Sequence, residues 1–283
     1  MNNFAVFILT HGRPNNQLTY KSLRKAGYTG KIYFVIDDLD ETSDEYIKNF
    51  GKENVIIFDK REIAKNTDRF LNYEKLDGVV YARNVCFEIA KKLDLEYFLN
   101  CDDDIRNFHY RLIENNKMGS VPLISFDDVF EVILEFMKTS DIELFSISEN
   151  GIYFGGINER TKGINMTFGH FFIFNTKSKI RFRSFWLEDL ITNIDILKRG
   201  HRVISSSFIS QTLIGRGDGG MADSYNETND NCIVFNILLC HPDVIKLYFK
   251  IKKDKILYSH KTNWKNVCVK TISDRYKKGQ KDV

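Results

Sequence analysis

Four short apolar runs, Phe4–Leu9, Lys31–Ile36, Asn54–Phe58 and Glu96–Asn100, alternate with stretches of helical spacing in the amino-terminal part of the chain. Short strand-like runs separated by helices pair side by side only if each connection crosses over. The pattern therefore predicts an α/β fold with a mainly parallel sheet flanked by helices. The intervening helices are expected over 17–26, closed by Gly27, over 44–50, stopping at Gly51, and over 80–93. Beyond residue 105 the pattern is less regular. Residues 127–139 read as an amphipathic helix entered at Phe126 and Asp127, and strands are expected at Leu144–Ser148 and His170–Asn175. A helix over 188–199 opens on two acids and ends before Gly200. The glycine-rich stretch 151–163 reads as a substrate loop and 215–231 as a mobile lid or a disordered segment.

Length and composition fit one soluble domain. The 283 residues are 43% hydrophobic, an ordinary fraction for a globular chain. No apolar run reaches the roughly 18 residues of a membrane span, and Met1-Asn2-Asn3 leads straight into a strand without a signal-peptide pattern. The expected location is the cytoplasm, or the host cytoplasm if the chain is phage-encoded, with no membrane partner. Five cysteines, Cys86, Cys101, Cys232, Cys240 and Cys268, include no C-x-x-C pair, which argues against a disulfide framework and a structural zinc site. A net charge of +3 gives little evidence for a polyanionic partner, although the carboxyl-terminal segment is locally basic.

The fourth run delivers Asn100-Cys101-Asp102-Asp103-Asp104. Carboxylates crowded at the end of a buried strand repel one another and lose hydration, so a cation should compensate them. Mn²⁺ or Mg²⁺ takes hard oxygen ligands and leaves positions for substrate phosphates. In an extended Asp-x-Asp segment Asp102 and Asp104 point to one side and Asp103 to the other. An acidic turn or helix cap is the alternative. Open sheets of this kind bind ligands outside the carboxyl ends of their strands, which would bring Thr10, Asp38 and Asp102 to one crevice.

Taken in order, Thr10-His11-Gly12-Arg13-Pro14, Asp37-Asp38, Tyr81-Ala82-Arg83-Asn84, Asp102-Asp103-Asp104, Trp186-Leu187-Glu188-Asp189 and Leu197–Val203 make the chain resemble nucleotide-sugar glycosyltransferases of the GT-A (Rossmann-like) fold. Within them it looks most like the TET-associated glycosyltransferase group of phages and bacteria. The resemblance covers about residues 4–205. It implies a glycosyltransferase core over 1–205, with a basic and aromatic extension over 206–283 that would choose the acceptor.

The resemblance implies a nucleotide-sugar donor, expected to be a UDP-sugar, surrounded by Thr10, Arg13, Asp38, Arg83, Asn84, Asp102 and Asp103. It implies a cation on Asp102 and Asp104. Each binding residue has a structural alternative: Arg13 can brace a turn, Asp38 can cap the next segment, and Arg83-Asn84 can cap a helix. By resemblance, a late histidine completes the cation's shell; His260 is the first choice and His241 the second. An inverting enzyme also needs a carboxylate base for the attacking hydroxyl; Asp189 is the choice and Glu188 the reserve, both being alternatively helix-dipole partners.

The acceptor implied is a hydroxymethylated pyrimidine in phage DNA, with a cell-surface glycan as the alternative. Lys250, Lys252, Lys253, Lys255, Lys277, Lys278 and Lys281, interleaved with Tyr248, Phe249, Tyr258, Trp264 and Tyr276, would hold phosphate and stack on a base; a solvated face with core aromatics is the plainer reading. A sugar-nucleotide nucleotidyltransferase would normally carry a glycine-rich basic loop after its first strand, where only Gly12 and Arg13 occur. A noncatalytic binding module sits poorly with intact Asp102, Asp104 and Asp189. A metal-dependent nuclease would need a lysine and carboxylate set on adjacent strands that the sequence does not show.

Overall fold

The computed structural model describes residues 3–70, 76–114, 117–140, 142–149, 169–214, 230–252 and 255–267. The amino-terminal half follows the expected alternation: β1 Phe4–Leu9, α1 Leu18–Lys25, β2 Ile32–Asp37, α2 Ser43–Phe50, β3 Val55–Phe58, α3 Lys60–Lys65, α4 Val80–Lys92 and β4 Tyr97–Asp102. β1 is buried at every position because it lies between helices on both sheet faces. Ala5, Phe7 and Leu9 feed one core, with α4, and Phe4, Val6 and Ile8 feed the other, with Phe126 and Phe130. A continuous apolar run is what a strand covered on both sides requires.

The rest of the chain comprises β5 Ile105–Glu114, β6 Lys117–Pro122, α5 Phe126–Thr139, β7 Ile142–Glu149, β8 Phe171–Asn175, α6 Glu188–Lys198, β9 Arg202–Leu213, α7 Asp230–Cys240, β10 Ile245–Lys252 and β11 Lys255–Thr262, then a short helix Trp264–Val267. Nine strands form one mixed sheet in the order β3-β2-β1-β4-β8-β7-β9-β5-β6. From the pairings, β1, β2, β3, β4, β6, β7 and β9 run one way and β5 and β8 the other. β8 lies antiparallel to β4 with Phe171 opposite Cys101, so the residue that precedes β8 stands beside the acidic end of β4.

The sequence pattern assigns no strand to β5, β6, β9, β10 or β11 and no helix to α3 or α7. Arg106, His109 and Arg111 interrupt the apolar pattern of β5, which lies next to the sheet margin. The boundary expected at residue 205 falls inside β9, and Ile237, Val244, Ile245 and Val267 join the core shared with β1 and α6. The stretch 151–163 and residues 215–229 lie outside the described residues. Cys86, Cys101, Cys232 and Cys240 are free thiols. Among the described residues no helix is long and apolar enough to cross a membrane.

One glycine is required where α1 meets α5. Gly27 closes α1 at φ +82°, and a Cβ there would lie 2.4 Å from the backbone oxygen of Ile124. Gly27→Ala is expected to lower stability by more than the roughly 1–2 kcal/mol of a left-handed backbone alone, since the obstacle is backbone that cannot rotate away. Urea unfolding measures it; an unchanged midpoint would contradict the close approach.

Candidate active site

The turn after β1 is built before any ligand arrives. Thr10 Oγ1 donates to Asp103 Oδ2 at 2.6 Å and receives Gln17 Nε2 at 2.8 Å, while the Tyr46 hydroxyl lies 2.8 Å away. Arg13 Nη1 donates to Asp103 Oδ1 at 2.8 Å, and the Arg13 backbone N–H to the Tyr46 hydroxyl at 2.9 Å. The Gly12 N–H is held by Asp40 and His11 Nδ1 lies 3.0 Å from Asp37. Asp103 is thus the hub that fixes this turn to β4, and the backbone N–H groups of Leu18 and Thr19 also donate to its carbonyl. The Thr10 hydroxyl and the Asp103 carboxylate, expected to meet the nucleotide, already have protein partners. Asp38 is exposed and its Oδ1 accepts the Lys60 N–H that begins α3.

On the other side of β4, Asp102, Asp104 and His170 bring one ligand atom each to within 4.8 Å of one another. The Asp-x-Asp alternation expected for the strand end is therefore observed: Asp103 turns to Thr10 and Arg13, the flanking acids to the histidine. His170 Nδ1 lies 2.6 Å from Asp102 Oδ2, and its backbone carbonyl accepts the Asp102 N–H at 3.1 Å. It holds φ +82°, a conformation that costs a non-glycine residue of order 1–3 kcal/mol and persists where its surroundings enforce it.

The histidine beside the acidic pair is His170, and neither His260 nor His241 belongs to that cluster. His241 is buried, 3.4 Å from the Ile191 carbonyl and 3.5 Å from Asp195. His260 sits on β11 opposite Leu247. Sequence reasoning misses His170 because it opens a strand whose antiparallel placement against β4 depends on the whole sheet. The one local signal is a histidine directly before an apolar run.

The electrostatics show a site short of positive charge. Burial pushes the Asp104 carboxyl up to about 6, reinforced by the charge of Asp102, and Asp104 Oδ1 is buried with no hydrogen-bond partner. Burial would also raise Asp102, but Arg83 and His170 outweigh it and hold that carboxyl well below the usual range. Burial opposes charge on His170, yet the hydrogen bond and charge of Asp102 lift it to about 9. An orphaned carboxylate oxygen, a second carboxylate and an imidazole are a donor set that fits Mn²⁺ or Mg²⁺.

Arg83 lies beneath this cluster, 2% exposed. Its Nε donates to Glu188 Oε1 at 3.0 Å, its Nη1 to Asn100 Oδ1 at 3.1 Å, and its Nη2 lies 3.1 Å from Asp102 Oδ1, an ion-pair distance without hydrogen-bond alignment to that oxygen. Arg83, expected near a diphosphate, is an internal cation joining β4 to α6. Asn84 is likewise structural: its amide donates to the Phe182 carbonyl and accepts the Phe182 N–H. Glu188 is buried, which pushes its carboxyl up to about 7 against the pull of Arg83, a cation shared with Asp102. Asp189 is half-buried at the start of α6, and its Oδ2 lies 2.8 Å from where a Cβ on Gly169 would be. The structure thus places Asp189 one residue from His170.

A mixed sheet of this strand order, with the acidic segment at the carboxyl end of β4, is a GT-A-type fold. Residues 4–211 match the TET-associated glycosyltransferase family, and the chain belongs to it. Glucosyl-3-phosphoglycerate synthase from Mycobacterium tuberculosis, solved with Mg²⁺ and UDP, is similar in fold at 10% identity, covering 92% of this chain and 86% of that one with a TM-score of 0.50. The mannosyltransferase PcManGT from Pyrobaculum calidifontis, solved with GDP-Man and Mn²⁺, matches at 12% identity over 84% and 68% of the two chains, TM-score 0.48. TarS from S. aureus matches at 17% identity over 83% and 65%, TM-score 0.43. No curated protein matches the chain.

Proposed function

We propose that this chain transfers a sugar from a UDP-sugar to the hydroxyl of a 5-hydroxymethylpyrimidine in DNA, with inversion and with Asp189 as the base. The observation that carries the reading is the Asp102, Asp104 and His170 cluster, with the Asp189 carboxylate packed against the adjoining Gly169. Asp102, Asp104 and His170 would hold Mn²⁺ or Mg²⁺, which supplies positive charge to a departing diphosphate. Asp189 accepts the proton of the acceptor hydroxyl as its oxygen bonds to the anomeric carbon; the bond from that carbon to the diphosphate breaks and its electron pair leaves with the phosphate. Glu188 is the weaker choice because its carboxylate is buried and engaged by Arg83. Arg83 and Asp103 act on the substrate indirectly, by fixing Asp102 and the β1 turn. The nucleotide donor is supported by the family and by the UDP held in the structurally similar synthase, a fold-level analogy. The DNA acceptor rests on the family's association with TET enzymes.

Asp189→Asn tests the assignment. Transfer should fall about 10²-fold or more, the lower range for a positioned general base, while calorimetry shows donor affinity within twofold of the parent, because a base acts on chemistry rather than on nucleotide binding. Gly169→Ala, which displaces the Asp189 carboxylate, should move activity in the same direction with little change in melting temperature. If Glu188→Gln is inactive and Asp189→Asn is not, the roles are exchanged; if neither affects turnover, a retaining mechanism replaces this one.

A further inference from the structure

The β10–β11 hairpin has two chemically different faces. In its register Lys246 stands opposite Lys261, Tyr248 opposite Ser259 and Lys250 opposite Leu257, and the period of two puts these on one side. Ile245, Leu247, Phe249 and Ile251 share the other side with His260, Tyr258 and Ile256. The apolar side is accounted for at its base: Ile245 is buried in the main core, and the Tyr258 ring packs 5.2 Å from Phe235 of α7.

The lysine side has no such account. Like charges directly opposite each other on a sheet are destabilising, yet Lys246 faces Lys261. Lys246, Lys250 and Lys261 are exposed. No described acidic side chain forms an ion pair with them, and Lys250 lies 5.5 Å from the centre of the Tyr248 ring instead. Residues 245–262 contain six lysines and one acid, Asp254. Exposed lysines with no acidic partner among the described residues gain by contact with a polyanion, where each phosphate neutralised releases a counterion.

We propose that the lysine face of the β10–β11 hairpin, through Lys246, Lys250 and Lys261, binds the phosphate backbone of the nucleic-acid acceptor. This rests on the reading of DNA as acceptor and names the surface that would hold it. The hairpin adjoins the helix that carries Asp189: Ile245 and Leu247 pack into the core that also holds Ile191 and Ile194 of α6. The strand backbone would lie along the hairpin while the target base enters beside α6, as base-modifying enzymes must extrude it.

The test compares the full chain with a Lys246→Gln, Lys250→Gln, Lys261→Gln variant for binding to a labelled duplex over a range of salt. The slope of log affinity against log salt should become shallower by about 0.9 for each phosphate that the variant no longer neutralises, and affinity near physiological salt should drop by about tenfold or more. Melting temperature and Mn²⁺ affinity should be unchanged. The same three lysines replaced by arginine should restore the slope. An unchanged slope in the glutamine variant overturns the proposal. If the parent transfers no sugar to hydroxymethylated DNA yet binds the duplex through these lysines, the acceptor reading fails and the surface stands. Lysine-dependent binding to phosphatidylserine vesicles without duplex binding overturns it in favour of an anionic membrane.

Discussion

Asp104→Asn is expected to lose transfer by about 10²-fold or more, the usual cost of removing a preorganised charge stabiliser, without losing metal-free stability. The two effects have one origin. Asp104 is half-buried beside Asp102, its Oδ1 is buried with no hydrogen-bond partner, and burial and like charge push its carboxyl up. A neutral amide removes that repulsion, so the melting temperature of the metal-free variant should equal or exceed that of the parent. A residue that costs stability and supports activity is the pattern of a functional site. Mn²⁺ should raise the melting temperature of the parent by preferential binding to the folded state, and that increment should shrink in the variant. Full activity of the variant in EDTA would contradict the metal reading.

Arg83→Met should be the most destabilising single substitution in the site. Arg83 is the cation common to Asp102 and Glu188, and the methionine leaves Glu188 in the interior and Asp102 at its edge without it. Breaking a buried ion pair from one side costs about 3–5 kcal/mol. Adding Glu188→Gln should recover part of that loss, because the two positions share one interaction and their effects do not add. Urea midpoints of the two single variants and the double variant measure the coupling. Additive losses would show that Arg83 stabilises through its guanidinium lying over the Phe172 and Phe182 rings rather than through its ion pairs.

The part of the site that can be read in the sequence is the part built from contiguous residues. β1 and β4 are short apolar runs whose last residues must emerge at one edge, so the Asp102, Asp103 and Asp104 segment can be placed, and the alternation within it assigns Asp103 a different direction from its neighbours. Residues whose role depends on distant partners are not legible. His170 becomes a neighbour of Asp102 because β8 enters the sheet antiparallel to β4. Arg83 turns inward because Asp102 and Glu188, 19 and 105 positions away, meet beneath the strand end. Asn84 resembles a binding residue in the motif and serves as a clamp on the backbone of Phe182. β5 and β9 escape a sequence reading for a related reason: their serine, arginine and histidine residues obscure a strand pattern that the neighbouring strands complete. Of the aromatic and basic tail, Lys253 and the segment containing Tyr276, Lys277, Lys278 and Lys281 lie outside the described residues.

The central claim is transfer of a sugar from a nucleotide donor to hydroxymethylated DNA. Its most direct test incubates the protein and Mn²⁺ with a panel of nucleotide sugars and either ordinary or hydroxymethylated duplex, followed by digestion and nucleoside mass spectrometry. The expected result is a mass increment of one sugar on the hydroxymethylpyrimidine nucleoside, with one donor, dependent on Mn²⁺ and absent from ordinary DNA. No increment with any donor, from a protein that binds Mn²⁺ and a nucleotide sugar, would contradict the claim and move the acceptor to a glycan.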